Sequence, residues 1–566
     1  MRRLVASAVL VAAAASLGPG LGFAGPLARA YVLDSGAHSL VALELPSGRR
    51  VASLALTGSP WALVQSPDGR HLVVLDRGPG EDKRERGYKA TGKSSATVVD
   101  PSTLTAVGRV ELGAGLVAGH SYFSPDGRRL TLLCPGYEAK NPAEALVREL
   151  VTIDLVEGRE VGRLALEAGA WPVALGKDGQ SLPLIQGLPR DAKFPYPQSR
   201  LFVVDLDGPR LRATVDMGGW THLCTDGVRF YLLDPGKPDK NPQKNRNGTV
   251  QVASLERDVL VGRFDAGRDP RGLYQDAAGG QVFIPSAGPS GASEGELRVV
   301  RGDSVAATLA VAANPKLLVR EGDSTYVVGE KAVTLVDPVG LQVKATIPLA
   351  RGGEGLVGDD DLPTEFKVSP DGKRAFAHYG LAHKVAVLDL EANTAIGSTK
   401  TGSGGKKLFG NMMGGMFGIV GLLAAGYSPW IYTEPSMLAV RPDGAFAYAV
   451  NTQTKDVTVV DGATGKSRGT IGGGGYSLEL LNGGRFLYEV SGSELRLVDL
   501  ERNVKAGEIP LSDLRGLFFP QDRSVAVALA KGAVLVLDGT TGRELARHPD
   551  FVSPDAIVFE GAAPRP

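Results

Sequence analysis

Ser66-Pro67-Asp68-Gly69 ends an apolar run that begins at Trp61, and the same four residues return at Ser124 to Gly127 and Ser369 to Gly372; Arg441 to Gly444 reads Arg-Pro-Asp-Gly. Weaker copies stand at Lys177-Asp178-Gly179, Thr225-Asp226-Gly227, Asn482-Gly483-Gly484 and Gln521-Asp522-Arg523. Asp-Gly supplies the positive φ of a tight hairpin, so these tetrads join two antiparallel strands. About eleven such units follow one another at a period of roughly 40 to 50 residues, the signature of a solenoid or propeller.

Outward from each turn the apolar residues alternate with period two, as half-buried strands require. The unit beginning at Arg374 reads RAFAHYG, then KVAVLDLEANTAIGS; FAYAVNTQTKDVTVVDGATGKSRGTI from Phe446 and YVLDSGAHSLVALELPSGRRVASLAL from Tyr31 repeat it. The order Tyr-Val-x-x, short loop, Val-x-Val-x-Asp, turn, Val-x-x-x-Ile, then Ser-Pro-Asp-Gly resembles the YVTN-type β-propeller repeats of exported and cell-surface bacterial and archaeal proteins. The resemblance covers nearly all of Tyr31 to Glu560. It implies an all-β propeller of four-stranded blades around a central channel. The residues shared with that family are turn and core residues and carry no catalytic set, so the resemblance speaks to fold and not to chemistry.

The chain opens at Tyr31 with strands two to four of a blade, and VSPDAIVFE from Val552 reads as the missing first strand. Ring closure by the two termini is expected, since it hides a sheet edge. Eleven units exceed the four to eight usual in one ring. Two tandem rings, six blades plus five, are therefore the preferred arrangement: 31–322 with long loops, then 323–560 with short ones. Seven plus four, and a single large ring, are the alternatives.

Arg2 and Arg3 before the apolar stretch from Leu4 to Leu17 read as a secretory signal, 1–24, with cleavage after Ala30 as the other possibility. A periplasmic, secreted or cell-surface location follows. Lys plus Arg and Asp plus Glu balance at 62 each, which gives no reason to expect nucleic acid as a partner. The two cysteines, Cys134 and Cys224, fall two repeats apart; export permits a disulfide, but that spacing disfavours one.

Long insertions fall at one class of loop, second to third strand or fourth strand to next blade, which emerge on one face of a propeller. They include Arg77 to Ser95, Pro135 to Ala145, Gln186 to Ser199, Pro235 to Gly248, Ser286 to Gly295 and Gly402 to Glu434. One-sided departure from the template marks a functional face; the plain alternative is drift in tolerant loops. Trp61, Trp171 and Trp220 stand six or seven residues before their turn aspartates and are expected to enter channel-lining strands from that face, with Trp430 at the end of the last insertion. Rings at a channel mouth suit stacking on a sugar or heterocycle, whereas the bland reading packs them between blades. His120 and His222 begin first strands and complete the candidate ligand site; His38, His378 and His383 lie in or beside the same loops.

A metal site needs three or four ligands converging on the ion, and these histidines come from different blades, so none is assigned. The acidic run Glu354, Asp359, Asp360, Asp361 and Glu365 offers oxygen ligands to a divalent cation, though such a run is more often a solvated turn. Leu408 to Ala425 lacks any charge. It leaves and returns on one side of the ring, and eighteen residues cannot cross a bilayer of about 30 Å twice. No membrane-spanning segment is therefore expected beyond the signal, and Leu408, Phe409, Met412, Met413, Met416 and Phe417 are read as a lid or as a docking surface for a partner or membrane face. The sequence holds no Cys-x-x-Cys-His, Gly-x-Ser-x-Gly or His-Glu-x-x-His motif, so no catalytic residue and no cofactor are assigned. The expected function is an exported cell-envelope binding or scaffold protein for a protein or glycan partner; the alternative is a periplasmic propeller enzyme of lactonase, lyase or redox-associated type.

Overall fold

The computed structural model describes residues 29–560 apart from 84–86, 91, 115–120, 136–146, 174, 189–195, 221, 236–246, 276–279, 289–292, 316, 322–323, 330, 352–353, 356–364, 380–382, 402–437, 452–455, 473–476 and 491–492. The signal segment, His120, Trp430 and the docking residues from Leu408 to Phe417 lie outside these. The described chain is all β, in eleven antiparallel four-stranded blades. We number the blades 1 to 11 in chain order. Blades 3 and 4 merge into one seven-stranded sheet, because Arg159–Pro172 serves as the fourth strand of one and the first of the other.

The termini close the ring as expected. Pro554–Phe559 is the first strand of blade 1 and pairs with Arg29–Asp34, from Ala30 opposite Phe559 to Leu33 opposite Ala556. The Asp34 carboxylate locks the seam by accepting from the backbone N–H of Val552 at 2.8 Å and of Ser553 at 2.7 Å.

Apolar clusters lie between the blades, each built from two neighbours. Leu33 and Leu40 of blade 1 meet Leu63 and Leu72 of blade 2. Phe283 and Leu297 of blade 6 meet Leu318 and Val327 of blade 7. Val525 and Val534 of blade 11 meet Val32 and Val41 of blade 1. The preferred pair of rings is thereby corrected: a six-plus-five split would pack blade 6 on blade 1 and blade 7 on blade 11, whereas the clusters run once round all eleven. The molecule is the single large ring.

Three repeated devices hold it. In the Ser-Pro-Asp-Gly turns the serine hydroxyl donates to the aspartate, 2.6 Å for Ser66 to Asp68, and accepts the N–H of the residue that starts the next strand, 3.0 Å from His71; Ser124 and Ser369 do the same. Second-strand tyrosines bolt blades 1, 5, 9 and 10 each to the next. Tyr31 Oη donates to the Pro101 carbonyl at 3.1 Å, Tyr231 to Gly302 at 2.7 Å, Tyr448 to Leu500 at 3.2 Å, and Tyr488 to Gly542. All four acceptors belong to the turn between third and fourth strands of the following blade. Finally, the pairing of third with fourth strand slips by one residue at the same place in all eleven blades. Such bulges twist the outer edge and discourage edge-to-edge association.

Candidate functional site

The face bearing the second-to-third loops is raised over one part of the ring. In blades 2 to 5 the third strands, Lys93–Asp100, Val147–Asp154, Tyr196–Asp205 and Asn247–Ser254, run 8, 8, 10 and 8 residues. The third strands of blades 7 to 11 all have 6. The added residues pair with the chain as it leaves the fourth strand for the next blade: Lys93 opposite Ala114, Val147 opposite Ala170, Tyr196 opposite Trp220, Asn247 opposite Arg268. At about 3.3 Å per residue, two to four extra residues lift this rim by about 7 to 13 Å. A small hairpin, Gly80–Lys83 with Gly87–Ala90, stands in the blade 2 insertion.

The tryptophans are not brought to one point. Trp61 lies on the first strand of blade 2, half-buried against the cluster shared with blade 3. The Arg77 guanidinium lies 5.3 Å from its ring centroid, and its indole Nε1 is buried without a hydrogen-bond acceptor. That environment is the core reading with a cationic cover. Trp171 enters the first strand of blade 4, where its backbone pairs with Ile185. Trp220 does not enter a first strand as expected; it ends the fourth strand of blade 4, opposite Tyr196, and the first strand of blade 5 begins two residues later at His222. The insertion lengthened the fourth strand past the point where the template would have ended it.

His222 is half-buried, and burial holds its imidazole down at about 4. A Cβ placed on Gly272 of the next blade would lie 3.6 Å from the His222 ring and 3.3 Å from that of Tyr274, so the two rings flank one glycine at the channel mouth. His38 and His383 take φ of 50° and 51° in equivalent second-to-third turns of blades 1 and 8, and His378 is buried opposite Glu365. Among the described residues no three His, Cys, Asp or Glu side chains group as a metal site would require. Of the acidic run, Glu354 and Glu365 are described and stand on separate strands, while Asp359, Asp360 and Asp361 fall outside. Cys134 and Cys224 are free and buried; burial pushes the Cys134 thiol up to about 12 and raises that of Cys224 as well.

The channel wall was less legible than the loops. Second strands are fully buried, as Leu72–Asp76 and Val525–Ala530 are throughout, whereas first strands such as Glu365–Val368, Leu514–Phe518 and Pro554–Phe559 are mostly half-buried. With stacked sheets about 10 Å apart, eleven blades need a mid-blade circle of about 110 Å, which leaves about 20 Å between opposite inner strands. Among the described residues the first strands thus border the bore.

Their composition divides it in two. The first strands of blades 2, 3, 5 and 6 contain no Asp, Glu, Lys or Arg, and in blades 3, 5 and 6 they carry the rings of Phe123, His222 and Tyr274. In blades 7, 8, 10, 11 and 1 every first strand carries charge, as Arg320 and Glu321, Glu365 and Lys367, Glu479, Arg515, and Asp555. The signal was present in the turn alignment: measured back from the turn aspartate, Lys367 occupies the column held by Val64 in blade 2.

No family model and no curated protein matches the chain. Solved structures that resemble it include the dihydro-heme d1 dehydrogenase NirN in complex with DHE, at 13% identity and a TM-score of 0.36, over 95% of this chain and 77% of that one. A eukaryotic initiation factor gives 10% and 0.39 over 95% and 99%. Kuenenia stuttgartiensis hydrazine synthase gives 15% and 0.23 over 80% and 100%.

Proposed function

We propose that the protein is an exported cell-envelope binding or scaffold protein that takes a protein or glycan partner on its raised face, and that its blades are of the YVTN type. The observation that carries this is the one-sided lengthening of blades 2 to 5 by added residues paired to the crossing chain. Random drift would lengthen both faces, yet the opposite face keeps its Asp-Gly turns short. Export is supported by the Arg2-Arg3 start and the uncharged stretch from Leu4 to Leu17.

The test is capture from envelope extract by the full chain, run beside a variant whose blade 2 and blade 5 insertions are cut to the length of the blade 7 loop. The face reading expects a partner retained by the parent and lost by a variant of unchanged melting temperature. Capture that survives the trimming sinks it. Metal analysis of the same preparation tests for a bound divalent ion.

A further inference from the structure

We propose that the bore of the ring is itself a binding site, and that it takes a neutral oligosaccharide laid between the rings of blades 3, 5 and 6 and the charges of blades 7, 8, 10, 11 and 1. This deepens the reading above, from which it takes the ligand class, but it places that ligand in the channel and not on the raised rim.

In blades 8, 10, 11 and 1 the ionised groups of the first strands are matched by opposite charges. Lys367 Nζ lies 3.2 Å from Glu365 and donates to the Leu438 carbonyl of the next first strand at 2.6 Å. Arg523 lies 3.6 Å from Glu479 across the boundary of blades 11 and 10, and donates to the Leu480 carbonyl at 2.8 Å. Arg515 pairs with Asp555 and donates to Ser553 Oγ at 3.0 Å, which also ties blade 11 to the closing strand. Pairs of this kind present a donor and an acceptor side by side with little net charge, so the arc offers no field for an anion or a cation. A hydroxyl both donates and accepts, and it is the group such a pair serves best.

The opposite arc supplies the other half of sugar recognition. Phe123 and Tyr274 pack one side against inter-blade clusters, and an aromatic face left to the bore suits the apolar C–H side of a pyranose. Phe123, His222 and Tyr274 are half-buried at positions bordering the bore, and burial keeps the His222 imidazole neutral at physiological pH, so it adds a hydrogen-bonding ring without charge. A bore of about 20 Å between backbones admits a single glycan chain of about 5 to 10 Å together with the side chains that line it, and excludes a folded domain of ordinary size.

The experiment is calorimetric titration of the full chain with neutral gluco- and N-acetylglucosamine hexasaccharides, with a polygalacturonate fragment and an unstructured peptide as competitors of other classes. The proposal expects saturable binding of a neutral hexasaccharide that does not change between low and high salt, because a neutral ligand is not screened. Tyr274→Ala in one arc and Glu479→Gln in the other should each weaken it tenfold or more, while Lys344→Ala on the outer edge should leave it unchanged. Should Tyr274→Ala fail to fold, Tyr274→Leu keeps an apolar side chain in the site and removes the ring. Binding of neither hexasaccharide, binding indifferent to both arcs, or binding of only the polyanion or the peptide would overturn the proposal. Partner capture that persists without glycan binding would leave the raised-face reading standing and remove this one alone.

Discussion

His222 stands where the first strand of blade 5 meets the channel mouth, and its desolvation has a consequence for stability. An imidazole in an unfolded chain titrates near pH 6.5, whereas the folded ring is held down at about 4. Between those values the unfolded chain binds a proton that the folded chain refuses, so this group's contribution is complete above about pH 6.5 and is lost as pH falls towards 4. Burial lowers His378 as well, with Glu365 opposing the shift, and its contribution has the same sign. We expect the urea midpoint of the parent to drop between pH 7.5 and 4.5, and that of His222→Asn to drop less. An unchanged pH dependence would mean that water hydrates the ring after all. At this scale the sequence disclosed the turns and hid the bolts. Ser66 and Asp68 act within a few residues, and local hydrogen bonds leave a local signature. Tyr31 and Tyr488 find their acceptors in the next blade, 70 and 54 residues away, so nothing nearby in the chain marks them as more than strand residues.

Among the elements, the closing strand and the third-to-fourth strand bulges show what strand pattern can and cannot reveal. The closing strand was readable because Pro554–Phe559 and Arg29–Asp34 leave complementary gaps at the two ends of a repeat. Removing residues 552–560 should destabilise far beyond nine residues' worth of contacts. It strips Phe559 from the apolar cluster between blades 11 and 1, frees the edge of Arg29–Asp34 and leaves the buried Asp34 carboxylate without two donors. Melting unchanged by truncation after Phe551 would refute closure. The bulges were not read, although the residue that follows each one is Gly or Ala in every blade, as at Gly108, Gly162 and Ala546. In blades 2 and 3 the cause is contact: a Cβ on Gly108 would come 2.2 Å from the Gly158 carbonyl oxygen of the next blade, and one on Gly162 would come 2.5 Å from the Pro209 ring, whereas one on Gly469 or Gly507 would meet nothing within 4 Å. Gly108 and Gly162 need the neighbouring blade for their explanation, and strand alternation is silent about neighbours.

For the whole molecule, the number of rings is where reading and structure parted. Turns and alternation specify a blade, but ring size depends on the angle between adjacent blades, about 33° for eleven and about 60° for six. That angle is spread thinly over all the inter-blade clusters and leaves no single motif behind; the change in loop length near Ala312 to Asp323 follows the end of the raised rim at blade 5 and marks no boundary between rings. A closed single ring also makes a prediction about its largest insertion. The strands flanking it are complete on their own terms: Thr394–Lys400 pairs with Lys384–Asp389, and Leu438–Val440 with Phe446–Asn451. Among the described residues Phe376, Val385 and Val387 of blade 8 pack on Leu438, Ala447 and Val460 of blade 9. Replacing 402–434 by a short Gly/Ser bridge should therefore keep the ring closed, with a melting temperature within a few degrees of the parent. If Leu408, Met412, Phe417 and their neighbours dock a partner or a membrane surface, that variant should lose envelope association while staying folded. If they cover the channel mouth, association should persist and the neutral hexasaccharides should enter more readily. Failure to fold would make the stretch part of the core that joins blades 8 and 9, and would exclude both roles.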